Sequence, residues 1–216
     1  MPSPLRLAAC LLAASIAAYA TASEMIVVPG TADPWLAGLP DGAKASGGDT
    51  APDQSPILTM TVTAGDCLIF RVEGWVSHTG APSGPGPDGG ATFSHQNGAE
   101  NGLSDISAPI DALLGVFLDE AAPDSRAAPE AMSFNLPADQ DFARLDPMLQ
   151  QVFLVGDGLN AAGNRQLFIV PEGATRLYLG TMDGYGWYNN TGTFRVEPEL
   201  ASDHPACPGR RLLRRP

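Results

Sequence analysis

The sequence predicts an all-β fold, a sandwich or barrel of short antiparallel strands joined by long loops. Three observations carry this reading. Glycine (24) and proline (20) together make about a fifth of the 216 residues, and they are scattered without a repeat period. Between them lie short runs rich in β-branched and aromatic residues. No window carries a long apolar stripe of helical period.

The runs come in order as MIVV (25–28), ILTMTVT (57–63), CLIFRVEGW (67–75), LLGVFL (113–118), QQVFLVG (150–156), QLFIV (166–170), TRLYLGT (175–181) and TFRVE (193–197). In ILTMTVT apolar residues alternate with threonine, the pattern of a strand with one buried face. Residues 137–149 predict one or two helical turns stopped by Pro147. Two long loops, 78–111 and 119–147, interrupt the strands. The first is rich in hydrogen-bonding groups, among them His78, His95, Gln96, Asn97, Glu100 and Asn101. The second is richer in Ala, Pro and acids and reads as a peripheral insertion. Loops of such length in a compact domain are usually functional or disordered.

The chain opens as a cleaved export signal (1–22): Arg6, an apolar stretch from Leu7 to Ala18, then small-x-small sites at Ala18-Tyr19-Ala20 and Ala20-Thr21-Ala22. The apolar stretch falls short of the ~20 residues a membrane span requires. A secreted or periplasmic protein without stable membrane insertion is expected. The body is then 24–198, followed by an Arg-rich, disordered tail over 199–216. The formal charge of −12, with four of twelve basic residues in the last seven positions, leaves a strongly acidic body. Such a body excludes nucleic acid as a partner, because phosphate contacts require Lys and Arg. Cys67, within an apolar run, reads as a buried free thiol, the alternative being a bond to Cys207 that pins the tail.

The densest chemistry lies in DGYGWYNNTGTFRV (183–196). Asp183, Asn189 and Asn190 are hard oxygen donors, and the glycines between them let a loop fold back on itself. Calcium takes six to eight oxygens of mixed kind, whereas this cluster contains no histidine or thiol for a transition metal. The same residues also make plain turns, and Asn189-Asn190-Thr191 matches a glycosylation sequon. No catalytic motif is present, the three histidines have no metal-binding spacing, and nothing pairs two carboxylates for glycoside hydrolysis. A binding protein rather than an enzyme is expected.

The runs AGDCLIFRVEGWVSHTG (64–80), GLSDISAPIDALLGVFL (102–118), FLVGDG, LFIVPEGATRLYLGT and DGYGWYNNTGTFRV resemble the small calcium-dependent galactophilic lectins of the bacterial PA-I type. The similarity covers roughly 56–118 and 150–197, with a looser match at 24–40. It implies a jelly-roll β-sandwich that binds galactosides through a calcium ligated by the sugar's vicinal hydroxyls. It further implies side-chain ligands from Asp183, Asn189 and Asn190, and a backbone carbonyl from His78, which stands where the family has tyrosine. A second carbonyl would come from Gly186 or Trp187, since the Asp-to-Asn spacing is one residue shorter than the family's. The implied sugar contacts are His95 and Asn101, with Asp183 and Asn190 also meeting the hydroxyls. Tyr185 or Trp187 would stack at the rim, and Trp75 is expected in the core. The competing expectation is a calcium-stabilised surface or adhesion module that binds no sugar. The insertion at 119–147 is foreign to the family pattern.

Overall fold

The computed structural model describes residues 25–207, so the export signal and the arginines of the tail lie outside the described residues. Twelve strands run in chain order: β1 Ile26–Pro29, β2 Ile57–Thr61, β3 Cys67–Ser77, β4 Thr92–Ser94, β5 Ile106–Pro109, β6 Leu113–Leu118, β7 Met132–Ser133, β8 Arg144–Leu145, β9 Val152–Leu154, β10 Leu167–Ile169, β11 Arg176–Thr181 and β12 Thr191–Leu200. One helical turn, α1, covers Pro137–Gln140. Every one of the eight strand-like runs read from the sequence contains a strand.

Two sheets form the sandwich, in the orders β1-β12-β3-β10-β8 and β2-β11-β6-β9. Without the short strands β4, β5, β7 and β8, eight principal strands remain. They stand first-eighth-third-sixth in one sheet and second-seventh-fourth-fifth in the other, the jelly-roll order. The pairings among these eight are antiparallel.

The four-stranded sheet is covered on both sides. Leu113 and Phe117 of β6, with Leu177 and Leu179 of β11, face the five-stranded sheet and meet Phe70, Phe168 and Phe194. Leu114, Val116 and Leu118 face the other way, onto Trp35, Leu36, Ile106, Phe134 and Trp187. That is why LLGVFL is apolar throughout: a strand buried on both faces has no solvent side to alternate with. The outer side of this second core is covered by the 30–51 loop and by a small three-stranded sheet, β4-β5-β7, with its flanking loops, and the candidate site, on the turn from β11 to β12, adjoins it. The five-stranded sheet instead shows its outer face to solvent, and β3 alternates accordingly, with Phe70 and Val76 buried and Arg71 and Glu73 exposed.

Several expectations require correction. Cys67 is disulfide-bonded to Cys207 rather than free. The amide of Ala201 also donates to the Cys67 carbonyl at 2.8 Å, so β12 runs on to Leu200 and residues 201–207 lie along the body. The body therefore ends later than 198. Trp75 is not a core residue, for it sits half-buried on the outward register of β3. The 119–147 segment is more than peripheral. Its β7 and β8 add parallel edge strands to β5 and β10, and Phe134 and Phe142 pack into the cores. Its helix is a single turn, as the sequence predicts. Among the described residues no helix is long and apolar enough to cross a membrane.

Candidate metal and ligand site

The turn from β11 to β12 carries the site. Asp183 is buried, and its Oδ1 accepts the amides of Gly184 at 2.6 Å and Tyr185 at 3.3 Å. Burial pushes its carboxyl pKa up from the ordinary value. The neighbouring Asn190 carboxamide, the two amides and the charge of nearby His78 pull it part of the way back. Asn190 is equally buried and donates Nδ2 to the Gly30 carbonyl at 3.1 Å. Its Oδ1 is buried with no hydrogen-bond partner. A lone pair taken from water and given nothing in return is costly, and such groups call for an explanation.

The loop is held from a distance. Trp187–Asn189 forms a 3-10 turn entered through Gly186, whose φ of 78° favours glycine. Asp49 caps that turn, with Oδ2 accepting the Trp187 amide and Oδ1 the Tyr188 amide, each at 2.9 Å. Gly47 packs so tightly under the loop that a Cβ there would lie 2.6 Å from the Gly186 nitrogen. The 46–49 segment is itself tethered: Glu100 Oε1 accepts the amide and the hydroxyl of Ser46 at 2.7 and 2.8 Å. Burial raises the pKa of Asp49, and the proximity of Asp183 and Glu100 adds to it. Asp33 is fully buried and its pKa is raised further by that burial. Its Oδ1 accepts the Trp35 amide, while its Oδ2, like Glu100 Oε2, has no hydrogen-bond partner.

His78 follows directly on β3 and is fixed by Asp111. The His78 amide donates to Asp111 Oδ1 at 2.6 Å, and Nδ1 lies 2.9 Å from Oδ2. The Asp111 amide donates to the Met182 carbonyl, which ties His78 to the residue before Asp183.

The structure thus brings Asp183, Asn190 and His78 together. Gly186 is buried in the same loop, whereas Asn189 is exposed at the end of its turn. The two sugar-contact candidates, His95 and Asn101, are held by other partners. His95 is buried and stacked on Trp35, with ring centroids 3.6 Å apart and planes 13° from parallel. Its Nδ1 donates to the Gly98 carbonyl, Nε2 lies 3.6 Å from Glu100 Oε2, and burial lowers its pKa. Asn101 spends its Nδ2 on the carbonyls of Trp35 and Lys44. Of the rim aromatics, Tyr185 is 54% exposed, while Trp187 is core and donates Nε1 to the Thr181 carbonyl.

Sequence reasoning missed the residues that complete this surface. Tyr188 is 61% exposed, and Phe93 is exposed with its ring against Gly184. Gln96 is exposed and donates its amide to the Gly184 carbonyl at 3.0 Å. Phe93 and Gln96, in a loop about 90 residues upstream, gave no local signal of where they would pack, although Gln96 stood out as a hydrogen-bonding group. Asp33, Asp49 and Asp111 carry no sequence signal that sets them apart from other acids.

Among the described residues, no group of three or more His, Cys, Asp or Glu side chains is arranged to hold a metal ion. The donor set at the 183–190 loop is of another kind, one carboxylate with carboxamide and carbonyl oxygens, which is a calcium set rather than a zinc set. The buried, unpartnered Asn190 Oδ1 beside Asp183 fits such an ion. Neither the protein-family models nor the curated proteins compared with the chain match it.

Proposed function

We propose that the protein is an exported, calcium-dependent carbohydrate-binding protein whose ligand is a galactoside-type glycan. The observation that carries this reading is the buried Asn190 Oδ1, unpartnered and next to the buried Asp183 carboxylate. Asp183 and Asn190 would hold the ion, with carbonyl support from His78 and the Gly186 turn. Calcium bound there offers coordination positions that vicinal hydroxyls of a sugar can fill in place of water. Around it the protein presents Tyr185, Tyr188, Phe93 and Gln96, aromatic faces and an amide suited to the mixed apolar and polar surface of a pyranose. The Cys67–Cys207 disulfide agrees with an oxidising compartment outside the cytoplasm. The features support binding, not turnover.

A second reading has its own support. His95 is buried against Trp35, and half-buried Asn101 spends its side-chain NH2 on the carbonyls of Trp35 and Lys44, so the groups implied as sugar contacts by the lectin resemblance are already engaged within the protein. A calcium-stabilised surface module without sugar binding would look like this. Isothermal titration with methyl galactoside, with calcium and with chelator, separates the two. Calcium-dependent binding, weaker for the glucoside with its inverted 4-hydroxyl, is expected. Calcium binding with no response to any galactoside at millimolar concentration would establish the structural module.

A further inference from the structure

The outer face of the five-stranded sheet bears a second surface that the calcium reading does not use. Trp75 is half-buried there, paired across the ladder with Thr193, and the neighbouring pair Glu73 and Arg195 stands beside it. These residues, with Gly74, line a depression of about 320 Å3. Gly192 makes the arrangement possible. It sits within β12 at a φ of 86°, and a Cβ on it would come 2.6 and 2.7 Å from Cε3 and Cζ3 of the Trp75 indole. Glycine weakens a strand, and where it persists it often marks a close approach by another group. Here it lets the indole settle over the sheet and keep its other side toward solvent. The charged pair is loose: Arg195 Nη1 is 3.7 Å from Glu73 Oε1, and both side chains are about two-thirds exposed. An exposed ion pair of this kind contributes little to stability, so its donors and acceptors are available to a ligand.

We infer that Trp75, Glu73, Thr193 and Arg195 form a second, calcium-independent saccharide subsite. A pyranose has an apolar face of C–H groups and a rim of hydroxyls. The indole matches the face. Carboxylate, guanidinium and hydroxyl match the rim, supplying acceptors and donors within one depression. No feature of the subsite depends on the Asp183 loop, and the subsite stands or falls apart from the lectin reading.

The chain's three tryptophans make the test direct. Trp35 and Trp187 are fully buried, which leaves Trp75 as the indole a ligand can reach. Tryptophan emission is followed in chelator during titration with the methyl pyranosides of galactose, glucose and mannose. A saturable change at millimolar sugar is expected for the wild type. Calorimetry in chelator should show this sugar binding lost in Trp75→Leu and retained in part in Trp75→Phe, which keeps an aromatic face. Glu73→Gln, a surface change that spares the fold and keeps a neutral acceptor, should weaken the binding about 3–10-fold, the net worth of one ordinary hydrogen bond. Calcium-dependent galactoside binding measured by calorimetry should survive in Trp75→Leu. No saturable change with any of the three sugars, or binding unaltered in Trp75→Leu and Glu73→Gln, would overturn the subsite. Emission that shifts with protein concentration in the absence of sugar would assign this face to a second copy of the chain, and would overturn it too.

Discussion

Two acidic regions of this molecule look alike in the sequence and differ in the fold. One is a cavity of about 260 Å3 whose lining includes Asp88, Asp141 and Asp157. The other is the layer of loops containing Asp33, Asp49, Glu100 and Asp183. In the first, each carboxylate serves a turn: Asp88 Oδ1 accepts the Asp157 amide, Asp157 Oδ1 that of Leu159, and Asp141 Oδ1 that of Ala161. In the second, burial raises the pKa of Asp33 and Asp49, with the neighbouring acids adding to it, and three oxygens (Asp33 Oδ2, Glu100 Oε2 and Asn190 Oδ1) are buried without a hydrogen-bond partner. Acidity is common to both. Of the two, only the second leaves buried oxygens without a hydrogen-bond partner, and that difference, not the count of acids, is what the proposed cation site rests on.

The largest expected effect within the second region belongs to a carboxylate that is satisfied. Asp49→Ala would leave the buried Trp187 amide and the Tyr188 amide without an acceptor, at about 1–3 kcal/mol per buried group, offset in part by relief of a desolvated charge. A loss of about 2–3 kcal/mol is expected, or roughly 5–10 °C in melting temperature for a domain of this size. Thermal melts in chelator check it. A melting temperature within about 1 °C of wild type would mean that Asp49 does not hold the loop.

A smaller effect sharpens the comparison through pH. Asp33 and Asp49 have folded pKa values raised by burial, so the folded state binds their protons more tightly than the unfolded chain does. Their contribution to the stability of the metal-free protein should therefore be fully present below the ordinary carboxylate range. It should fall as pH rises from that range through the raised folded values. Chelator melts across mildly acidic to neutral pH measure this. Stability that climbs steadily with pH would contradict the placement of these acids. In Asp33→Asn the slope should flatten, because the most strongly shifted group is gone.

The sequence showed the framework because strands declare themselves locally. Short runs of β-branched and aromatic residues between glycines and prolines were legible as strands, whereas the alternation of β3 and the unbroken apolar run of β6 are explained only by which faces the fold covers. The partners that shape the site were not. Asp49 caps a turn 138 residues away, and Glu100 tethers Ser46 across 54. Such bonds leave no trace in the residues around them, since an acid before a turn looks the same whichever amide it meets. Asp183 and Asn190 were legible because the loop gathers them within eight residues. Trp75 was misjudged because an indole next to a glycine fits a core equally well. Its outward register appears only when β12 is laid beside β3. The disulfide required the fold as well, for nothing in the spacing of two cysteines 140 residues apart favours their meeting.

The most direct test of the account is the melting temperature of the wild type, Asp183→Ala and Asp141→Ala, each with calcium and with chelator. A ligand that binds only the folded state stabilises it by about 2.7 kcal/mol at a hundredfold excess over Kd, or roughly 5–10 °C here. The wild type and Asp141→Ala should both show that rise, while Asp183→Ala, which lacks the carboxylate beside Asn190, should melt at one temperature in both buffers. Equal melting of the wild type with and without calcium, or a calcium response that survives Asp183→Ala, would contradict the claim that the 183–190 loop is a calcium site.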